Sequence, residues 1–214
     1  MKISVIIPAF NSEQYIRDCL DSLRKQSLSA DEYEIIVVDN GSADRTVEIA
    51  QSLGVKVVPG PQLTVSALRN LGAAQAQGDI LAFVDSDCCV AEDWLRLAVE
   101  LIGSKGAAAI GYWYRLPHDL TWVERVWDLH MSLKRVTGYV PWLPSSNFFI
   151  RKSVFEKISG FNPQLVTGED SDICNRIILS GEKIYSDDRL AVTHMNNPKT
   201  VVEFFRKEIW HGLG

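Results

Sequence analysis

The feature of this sequence that most constrains its fold is a short apolar run that ends on two aspartates. Residues 80–84 read Ile-Leu-Ala-Phe-Val, and Asp85-Ser86-Asp87 follows directly. A run of five is too short for an independent helix, and its composition is typical of a central parallel strand buried on both faces. The carboxyl ends of such strands form the ligand crevice of an open α/β sheet. The two carboxylates could hold a hard divalent cation there or close the strand as turn residues, and the motif alone leaves both functions open.

Strands and helices alternate through the first half of the chain. Strands are predicted at residues 2–7, 34–38, 55–58 and 80–84, and the intervening helices reach residues 23, 52 and 77. Asn11 with Gln14 resembles the capping box of the first helix. The alternation predicts a Rossmann-like, mostly parallel central sheet flanked by helices. Right-handed crossovers would bring Pro8, Phe10 and Asp39 to the same sheet edge as the aspartate pair.

Composition limits the class of protein and its partners. A chain of 214 residues fits one domain, and its net charge of −5 argues against a nucleic-acid partner. No apolar run approaches the length of a membrane span and no signal-peptide pattern is present, so we expect a cytoplasmic protein. The sequence stops at Leu213-Gly214 without a terminating signal, and we expect the natural chain to continue. The four cysteines lack metal-site spacing and are interpreted as reduced, small apolar residues. The phosphate loops of nucleotide hydrolases and dinucleotide enzymes are absent from the sequence.

The middle of the chain is rich in tryptophan. A helix is predicted from residue 92 to about 103 and strands at 107–113 and 145–150, with four of the six tryptophans between residues 113 and 142. Trp122, Val126, Leu129, Leu133 and Val136 have helical spacing, which favours core packing. Aromatic faces can also line a sugar or lipid site.

The last third carries a second group of acids and an amphipathic helix. Glu169, Asp170 and Asp172 open a helix that is predicted to reach Ser180, and three carboxylates are more than helix capping requires. Residues 199–211 are predicted to form the final helix, with an apolar stripe beside Arg206 and Lys207. Packing on the domain is the default for this stripe, and contact with a membrane surface is the alternative.

Seven motifs, in the order in which they occur along the chain, resemble those of the family 2 glycosyltransferases of the GT-A fold. Together they extend over nearly the whole chain. They are residues 4–11, residues 37–44, Arg69-Asn70-Leu71-Gly72, Asp85-Ser86-Asp87, Gly160-Phe161, Gly168-Glu169-Asp170 and His194. The resemblance implies a single GT-A domain, 1–214, with a nucleotide-sugar-binding half (1–105) and a half that binds the acceptor and carries the catalytic base (106–214). It also implies inverting transfer from a nucleotide-diphosphate sugar, usually of uridine, to a saccharide or lipid-linked acceptor.

The resemblance further implies roles for individual residues. The base is expected to lie among Pro8, Phe10, Asp39 and Arg69, and the ribose near Asp85. Asp87 and His194 are expected to hold Mn²⁺ or Mg²⁺ on the diphosphate, and Asp170 to act as the catalytic base. The acceptor side is expected to include Trp142, Asn147 and Glu169.

Each role has a structural alternative. Asp39 is also a good turn residue, Arg69 fits a solvated helix face, and an isolated histidine such as His194 is often structural. Asp170 could cap its helix, which would leave Glu169 or Asp172 as the base. For the whole chain, the alternatives are a sugar-nucleotide nucleotidyltransferase and a non-catalytic sugar-nucleotide-binding module. The first usually has a Gly-rich basic loop after the first strand, which residues 8–12 lack.

Overall fold

An eight-stranded sheet forms the centre of the computed structural model, which describes residues 2–212, with side chains for residues 2–209 and 212. The strands in this part of the chain are β1 (Ile3–Ala9), β2 (Tyr33–Asp39), β3 (Lys56–Pro59), β4 (Ile80–Val84), β5 (Cys88–Cys89), β6 (Ala109–Gly111), β7 (Gly138–Tyr139), β8 (Asn147–Arg151), β9 (Ile184–Ser186) and β10 (Thr193–His194). The helices are α1 (Ile16–Arg24), α2 (Thr46–Ser52), α3 (Val65–Ala74), α4 (Trp94–Lys105), α5 (Trp122–Ser132), α6 (Lys152–Lys157), α7 (Glu169–Leu179) and α8 (Val201–His211). The mostly parallel sheet flanked by helices that the sequence predicts is confirmed.

The first four strands of the main sheet are parallel, in the order β3-β2-β1-β4. Ala9 pairs with Asp39 at the ends of β1 and β2, and Ile6 pairs with Phe83 near the end of β4. The carboxyl ends of these three strands therefore meet at one edge. This edge carries Pro8, Asp39 and the aspartate pair, as the crossover rule predicts.

Both faces of the central strands are buried. All seven residues of β1 are buried; Val5 and Ile7 belong to a core with α1 and α4, whereas Ile6 belongs to a core with α3, α6 and α7. This arrangement explains why the central strands read as continuous apolar runs, because successive side chains enter two different cores.

The second half extends the sheet in mixed directions. β8 pairs antiparallel with both β4 and β6. β6 then pairs parallel with β9, and β9 pairs antiparallel with β7. Gly111 is required where β6 passes β8, since a Cβ there would lie 2.2 Å from the backbone oxygen of Asn147. Outside this sheet, β5 and β10 form an antiparallel two-stranded ribbon directly after the aspartate pair.

The capping box predicted at Asn11 is wrong. Helix α1 begins five residues later, at Ile16, and Asn11 adopts a left-handed φ of 47°. Its side-chain oxygen accepts a hydrogen bond from the backbone N–H of Ala43 at 2.9 Å. Asn11 therefore joins the loop after β1 to the loop after β2 and shapes the sheet edge instead of starting a helix. Helix α3 also ends earlier than predicted, at Ala74.

The core position predicted for the α5 stripe is wrong as well. Its five apolar residues are 53–80% exposed: Trp122, Val126, Leu129, Leu133 and Val136. The helix buries Val123, Glu124 and Met131 instead, and Glu124 forms a capping box with Thr121. The α5 sequence carries apolar residues on two faces, and periodicity does not show which of them turns inward.

The default of core packing for α8 is also wrong. Its apolar stripe faces outward, with Val201, Val202, Phe205 and Ile209 41–67% exposed. No helix in the described part of the chain is long and apolar enough to cross a bilayer.

Candidate active site

A cavity of about 1330 Å³ opens at the sheet edge where β1 and β4 end. Its walls include nine of the eleven residues that the sequence singles out: Pro8, Phe10, Arg69, Asp85, Asp87, Trp142, Glu169, Asp170 and His194. The other two, Asp39 and Asn147, do not line it. Residues spread from position 8 to position 194 thus share one space, which is large enough for a nucleotide sugar.

Asp39 does not line the cavity, although its strand partner Ala9 and the next residue, Asn40, do, and it has one unused oxygen. Its Oδ2 accepts hydrogen bonds from the backbone N–H groups of Gly41 and Ser42 at 3.0 and 3.1 Å. Its Oδ1 is buried and has no hydrogen-bond partner among the described residues. A buried carboxylate oxygen without a donor is costly. The N–H group of a ligand base would remove that cost.

Arg69 connects two carboxylates that are distant from each other in sequence. Its Nη2 lies 2.9 Å from Oδ1 of Asp85, and its Nη1 lies 2.8 Å from Oε1 of Glu169. The residue is 2% exposed; burial lowers the pKa of its guanidinium, but the charges of Asp85 and Glu169 outweigh that effect and leave the pKa raised. Ser145 donates a further hydrogen bond to Glu169 at 2.8 Å. Both ends of the guanidinium fork are therefore occupied, and Arg69 positions Asp85 and Glu169.

Asn70 fixes the loop that leads toward α7. Its side chain donates to the carbonyl oxygen of Phe161 at 2.8 Å and accepts from the Phe161 N–H at 2.9 Å. Gly160 allows this approach, because it has a φ of 67° and a Cβ there would lie 2.6 Å from Oδ1 of Asn70. The Arg69-Asn70 and Gly160-Phe161 motifs thus form one contact between the two halves of the chain.

Asp87 and His194 lie together at the ribbon of β5 and β10. Oδ1 of Asp87 is 3.5 Å from Nε2 of His194. Burial lowers the pKa of His194 and raises the pKa of Asp87. The lowered pKa of His194 favours the neutral imidazole that a divalent metal needs, whereas the raised pKa of Asp87 disfavours the carboxylate form, which a bound cation would stabilise. With the neighbouring Cys88, these residues offer three donor atoms within 4.8 Å of one another, so the donor set fits a divalent cation.

Asp170 differs from the two other acids in the first turn of α7. Glu169 is bound by Arg69, and Asp172 is paired with Arg176 at 2.5 Å. Asp170 forms no ion pair among the described residues and accepts a hydrogen bond from the backbone N–H of Ser171 at 2.8 Å. Burial and the charge of Glu169 raise its pKa to about 6. An unpaired carboxylate with this pKa is suited to accept a proton near neutral pH.

The comparisons with known proteins identify the family. The model for Glycosyl transferase family 2 matches residues 4–162. The chain belongs to this family. Glycosyltransferase AglE from Haloferax volcanii is 33% identical over 177 residues, which cover 78% of this chain and 58% of AglE. Poly(ribitol-phosphate) beta-N-acetylglucosaminyltransferase TarS from Staphylococcus aureus is 38% identical over 112 residues, which cover 48% of this chain and 19% of TarS.

Solved structures show the same fold. TarS residues 1–349 from S. aureus, in complex with UDP-GlcNAc, have a TM-score of 0.75 at 23% identity over 94% of this chain and 60% of that one. The mannosyltransferase PcManGT from Pyrobaculum calidifontis, in complex with GDP-Man and Mn²⁺, has a TM-score of 0.73 at 18% identity over 98% of this chain and 62% of that one. This family 2 chain therefore has the GT-A fold. It spans about three fifths of the length of AglE and of these solved chains.

One acceptor-side expectation for the family 2 chain needs correction. Asn147 is fully buried, and its amide is used by the core: it donates to the carbonyl oxygens of Tyr112 and Leu190 and accepts from Nε1 of Trp94. All of its polar atoms are thus engaged away from the cavity. Trp142 does line the cavity, and its Nε1 is buried without a partner among the described residues.

Sequence reasoning missed the polar face of α8. Glu203, Lys207 and Glu208 line the cavity of the family 2 chain, opposite the exposed apolar stripe of the same helix. Lys207 has no ion pair or hydrogen bond in the part of the chain that the structure describes, and burial lowers its pKa although Asp87 and Asp85 lie near enough to raise it. The signal was the i, i+4 spacing of Glu203 and Lys207, which marks a polar face as clearly as the apolar stripe marks the other.

Proposed function

We propose that this chain is a metal-dependent inverting glycosyltransferase. It would move a sugar from a nucleotide-diphosphate sugar, in the first place a UDP-sugar, to an acceptor hydroxyl in the synthesis of a cell-envelope polysaccharide or glycolipid. The observation that carries the proposal is the presence, in one cavity, of an Asp87–His194 pair and an unpaired Asp170 with a raised pKa. An inverting displacement needs charge stabilisation at the leaving group and a separate base for the acceptor.

The residues would divide the reaction between them. Asp39 accepts an N–H of the base through its free Oδ1, between Pro8 and Phe10, while Asp85, held by Arg69, binds the ribose. Asp170 removes the proton of the acceptor hydroxyl as its oxygen attacks the anomeric carbon. The bond from that carbon to the diphosphate then breaks, and the nucleoside diphosphate leaves with the bonding electrons.

Asp87 and His194 would hold Mn²⁺ or Mg²⁺. When bound, the cation supplies Lewis-acid neutralisation of the charge on the departing diphosphate. Lys207 provides a second, fixed positive charge on the same side of the cavity. The 1–105 half would thus bind the donor, and the 106–214 half would supply the base and the acceptor side, where Trp142 and Glu169 lie.

Thermal-shift screening of UDP- and GDP-sugars with and without Mn²⁺ tests the proposal directly. A donor at a hundred times its dissociation constant stabilises the fold by about 2.7 kcal/mol, which raises the Tm by roughly 5–10 °C for a chain of this size. We expect that rise only with Mn²⁺, followed by sugar transfer to an added acceptor. Stabilisation without transfer or donor hydrolysis would instead indicate a binding module, and release of pyrophosphate from a nucleoside triphosphate would indicate a nucleotidyltransferase.

We further propose that the chain lies on the cytoplasmic face of an anionic membrane, through the exposed stripes of α5 and α8. The two helices contact each other through Trp127 and Phe204, whose ring centroids are 5.6 Å apart. Residues 122–136 and 199–211 contain six Lys and Arg residues against four Asp and Glu residues, although acids exceed bases by five in the whole chain. Apolar residues flanked by bases are typical of helices that lie in a membrane interface. The inner sides of both helices line the cavity, so a lipid-linked acceptor would reach it from the bilayer.

Sedimentation with vesicles tests the membrane contact. We expect binding to vesicles of phosphatidylglycerol and phosphatidylcholine, little binding to phosphatidylcholine alone, and a loss of binding in Phe205→Ser. Leu179→Ser is the matched control, because Leu179 is an exposed apolar residue on α7. If the wild type bound neither vesicle but formed a dimer that Phe205→Ser dissociates, the face would be a self-association surface and the membrane proposal would be wrong.

A further inference from the structure

A thiol lies beside the proposed metal ligands and has no role in the proposed reaction. Cys88 follows Asp87 directly and pairs with His194 across the ribbon of β5 and β10. Residues directly opposite each other on an antiparallel pair point to the same side, so the Cys88 thiol and the His194 imidazole are neighbours. The donor atoms of the three side chains all lie within 4.8 Å of one another. The cysteine is free and buried.

The spacing of these donors suits a small tetrahedral cation. Zn²⁺ binds imidazole nitrogen and carboxylate oxygen at roughly 2.0–2.1 Å and thiolate sulfur at about 2.3 Å, which makes the tetrahedral edges about 3.3 Å for N–O and about 3.6 Å for S–O. The corresponding distances are 3.5 Å for His194 Nε2 to Asp87 Oδ1 and 4.0 Å for Cys88 Sγ to Asp87 Oδ1. These two edges would need shifts of only a few tenths of an ångström, and the third edge, between Cys88 Sγ and His194 Nε2, is shorter than 4.8 Å.

The chemical types of the three donor atoms also favour zinc. One sulfur, one nitrogen and one oxygen form a set that favours Zn²⁺ and softer ions, whereas Mg²⁺ prefers an octahedron of oxygens. Asp87 and His194 also line the cavity, which leaves a fourth position open to water or to a diphosphate oxygen. Three protein ligands with one open position are typical of zinc sites that take part in binding or catalysis.

We propose that Asp87, Cys88 and His194 form a three-ligand site that binds Zn²⁺ more tightly than Mn²⁺ or Mg²⁺. The inference rests on the metal position of the proposed function and adds the thiolate as its third ligand. On binding, the Cys88 thiol releases its proton to solvent and its sulfur bonds to the metal. Zinc and the hard cations therefore compete for one position, and zinc controls how much of the protein can bind Mn²⁺.

Titration of the full chain with Cd²⁺ alone tests the third ligand without an activity assay. Cadmium bound to a thiolate gives an ultraviolet charge-transfer band. We expect the wild type to show the band at one equivalent and Cys88→Ser to lose it. Cys89→Ser is the matched control, since the neighbouring Cys89 faces Thr193 across the ribbon and is not part of the cluster. A wild type without the band, or a band that persists in Cys88→Ser, would overturn the proposal.

Calorimetry with ZnCl₂ and MnCl₂ then measures the preference. We expect Zn²⁺ to bind the wild type more tightly than Mn²⁺, and Cys88→Ser to weaken Zn²⁺ by about tenfold or more while changing Mn²⁺ little. Equal losses for the two metals would contradict a thiolate ligand. If Cys88→Ser does not fold, X-ray absorption of the zinc-loaded wild type decides the question by counting one sulfur neighbour or none. A failed donor screen with an intact cadmium band would refute the transferase and leave the metal site standing.

Discussion

Replacing Asp170 by asparagine should make the protein more stable and much less active. The side chain is largely buried, and its pKa rises from 3.8 to about 6. At pH 7 the folded protein therefore carries a charge that the site disfavours by about 3 kcal/mol, since each pKa unit corresponds to 1.36 kcal/mol. The partial solvent contact of the carboxylate reduces this figure, so we expect Asp170→Asn to raise the unfolding free energy by roughly 1–3 kcal/mol. For a chain of this size, the Tm would rise by about 2–10 °C.

The stability gained by Asp170→Asn should depend on pH in a defined direction. A carboxyl with a raised folded-state pKa stabilises the fold fully while it is protonated, and that contribution is lost as the pH rises through about 6. Asparagine resembles the protonated acid at every pH. The stability difference between Asp170→Asn and the wild type should therefore be full at pH 7–8, shrink between pH 6 and 4, and disappear below pH 4.

Catalysis should move in the opposite direction. Loss of a general base typically costs a factor of 10²–10⁴ in rate, so kcat should fall by about that much while the donor dissociation constant stays within about twofold. In the wild type, kcat should fall as the pH drops below about 6, because the base becomes protonated. The kcat of the variant and the pH dependence of kcat in the wild type are measured with a nucleoside-diphosphate release assay. The unfolding free energy is measured by urea denaturation.

Asp172→Asn is the matched control for this experiment. Asp172 lies in the same helical turn but is paired with Arg176, so its loss should cost only a few tenths of a kcal/mol and leave kcat nearly unchanged. If Asp170→Asn transferred sugar at the wild-type rate, or were less stable at pH 7, the assignment of the base and the account of its burial would both be wrong.

Three further substitutions test other parts of the cavity. Arg69→Met should destabilise the fold by about 3 kcal/mol in urea denaturation, because it leaves two partly buried carboxylates without the guanidinium that binds them. A loss below about 1 kcal/mol would contradict that role. Lys207→Met should weaken binding of the nucleoside diphosphate about tenfold in calorimetry. The control variant Lys199→Met, at an exposed position just before α8, should not weaken it, and equal effects would mean that Lys207 acts only through overall charge. Asp39→Asn should weaken UDP binding about tenfold without a change in Tm beyond a few degrees, and unchanged affinity would exclude contact between its free Oδ1 and the base.

The sheet and its ligand edge could be predicted from the sequence because both depend on local signals. Residues 80–84 are apolar because both faces of β4 are buried, and Pro8, Asp39 and Asp85 mark where three parallel strands end. Topology rules then require these ends to be neighbours. The same reasoning reached Asp170 and His194 only through the family resemblance, since their proximity depends on how β8 and the ribbon pair.

The errors have a common physical cause. Periodicity shows that a helix has faces, but not what each face meets. Trp122 and Phe205 belong to stripes that look like core and are exposed, whereas the polar Lys207 lies inside the cavity. Asn147 looks like a site residue at the start of a strand and instead holds three groups of the core. In each case long-range packing, which no short segment encodes, decides the outcome.

The buried guanidinium of Arg69 joins two acidic residues of the cavity wall that are distant in sequence. Arg69 binds Asp85, which follows β4, and Glu169, which directly precedes Asp170 in α7. The charge of Glu169 helps to raise the pKa of Asp170, and Arg69 opposes that rise. Any movement that loosens the Arg69–Glu169 contact would therefore alter the proton affinity of Asp170 as well as the position of Asp85. In the proposed reaction, donor binding near Asp85 and proton transfer at Asp170 would therefore be linked through the side chain of Arg69.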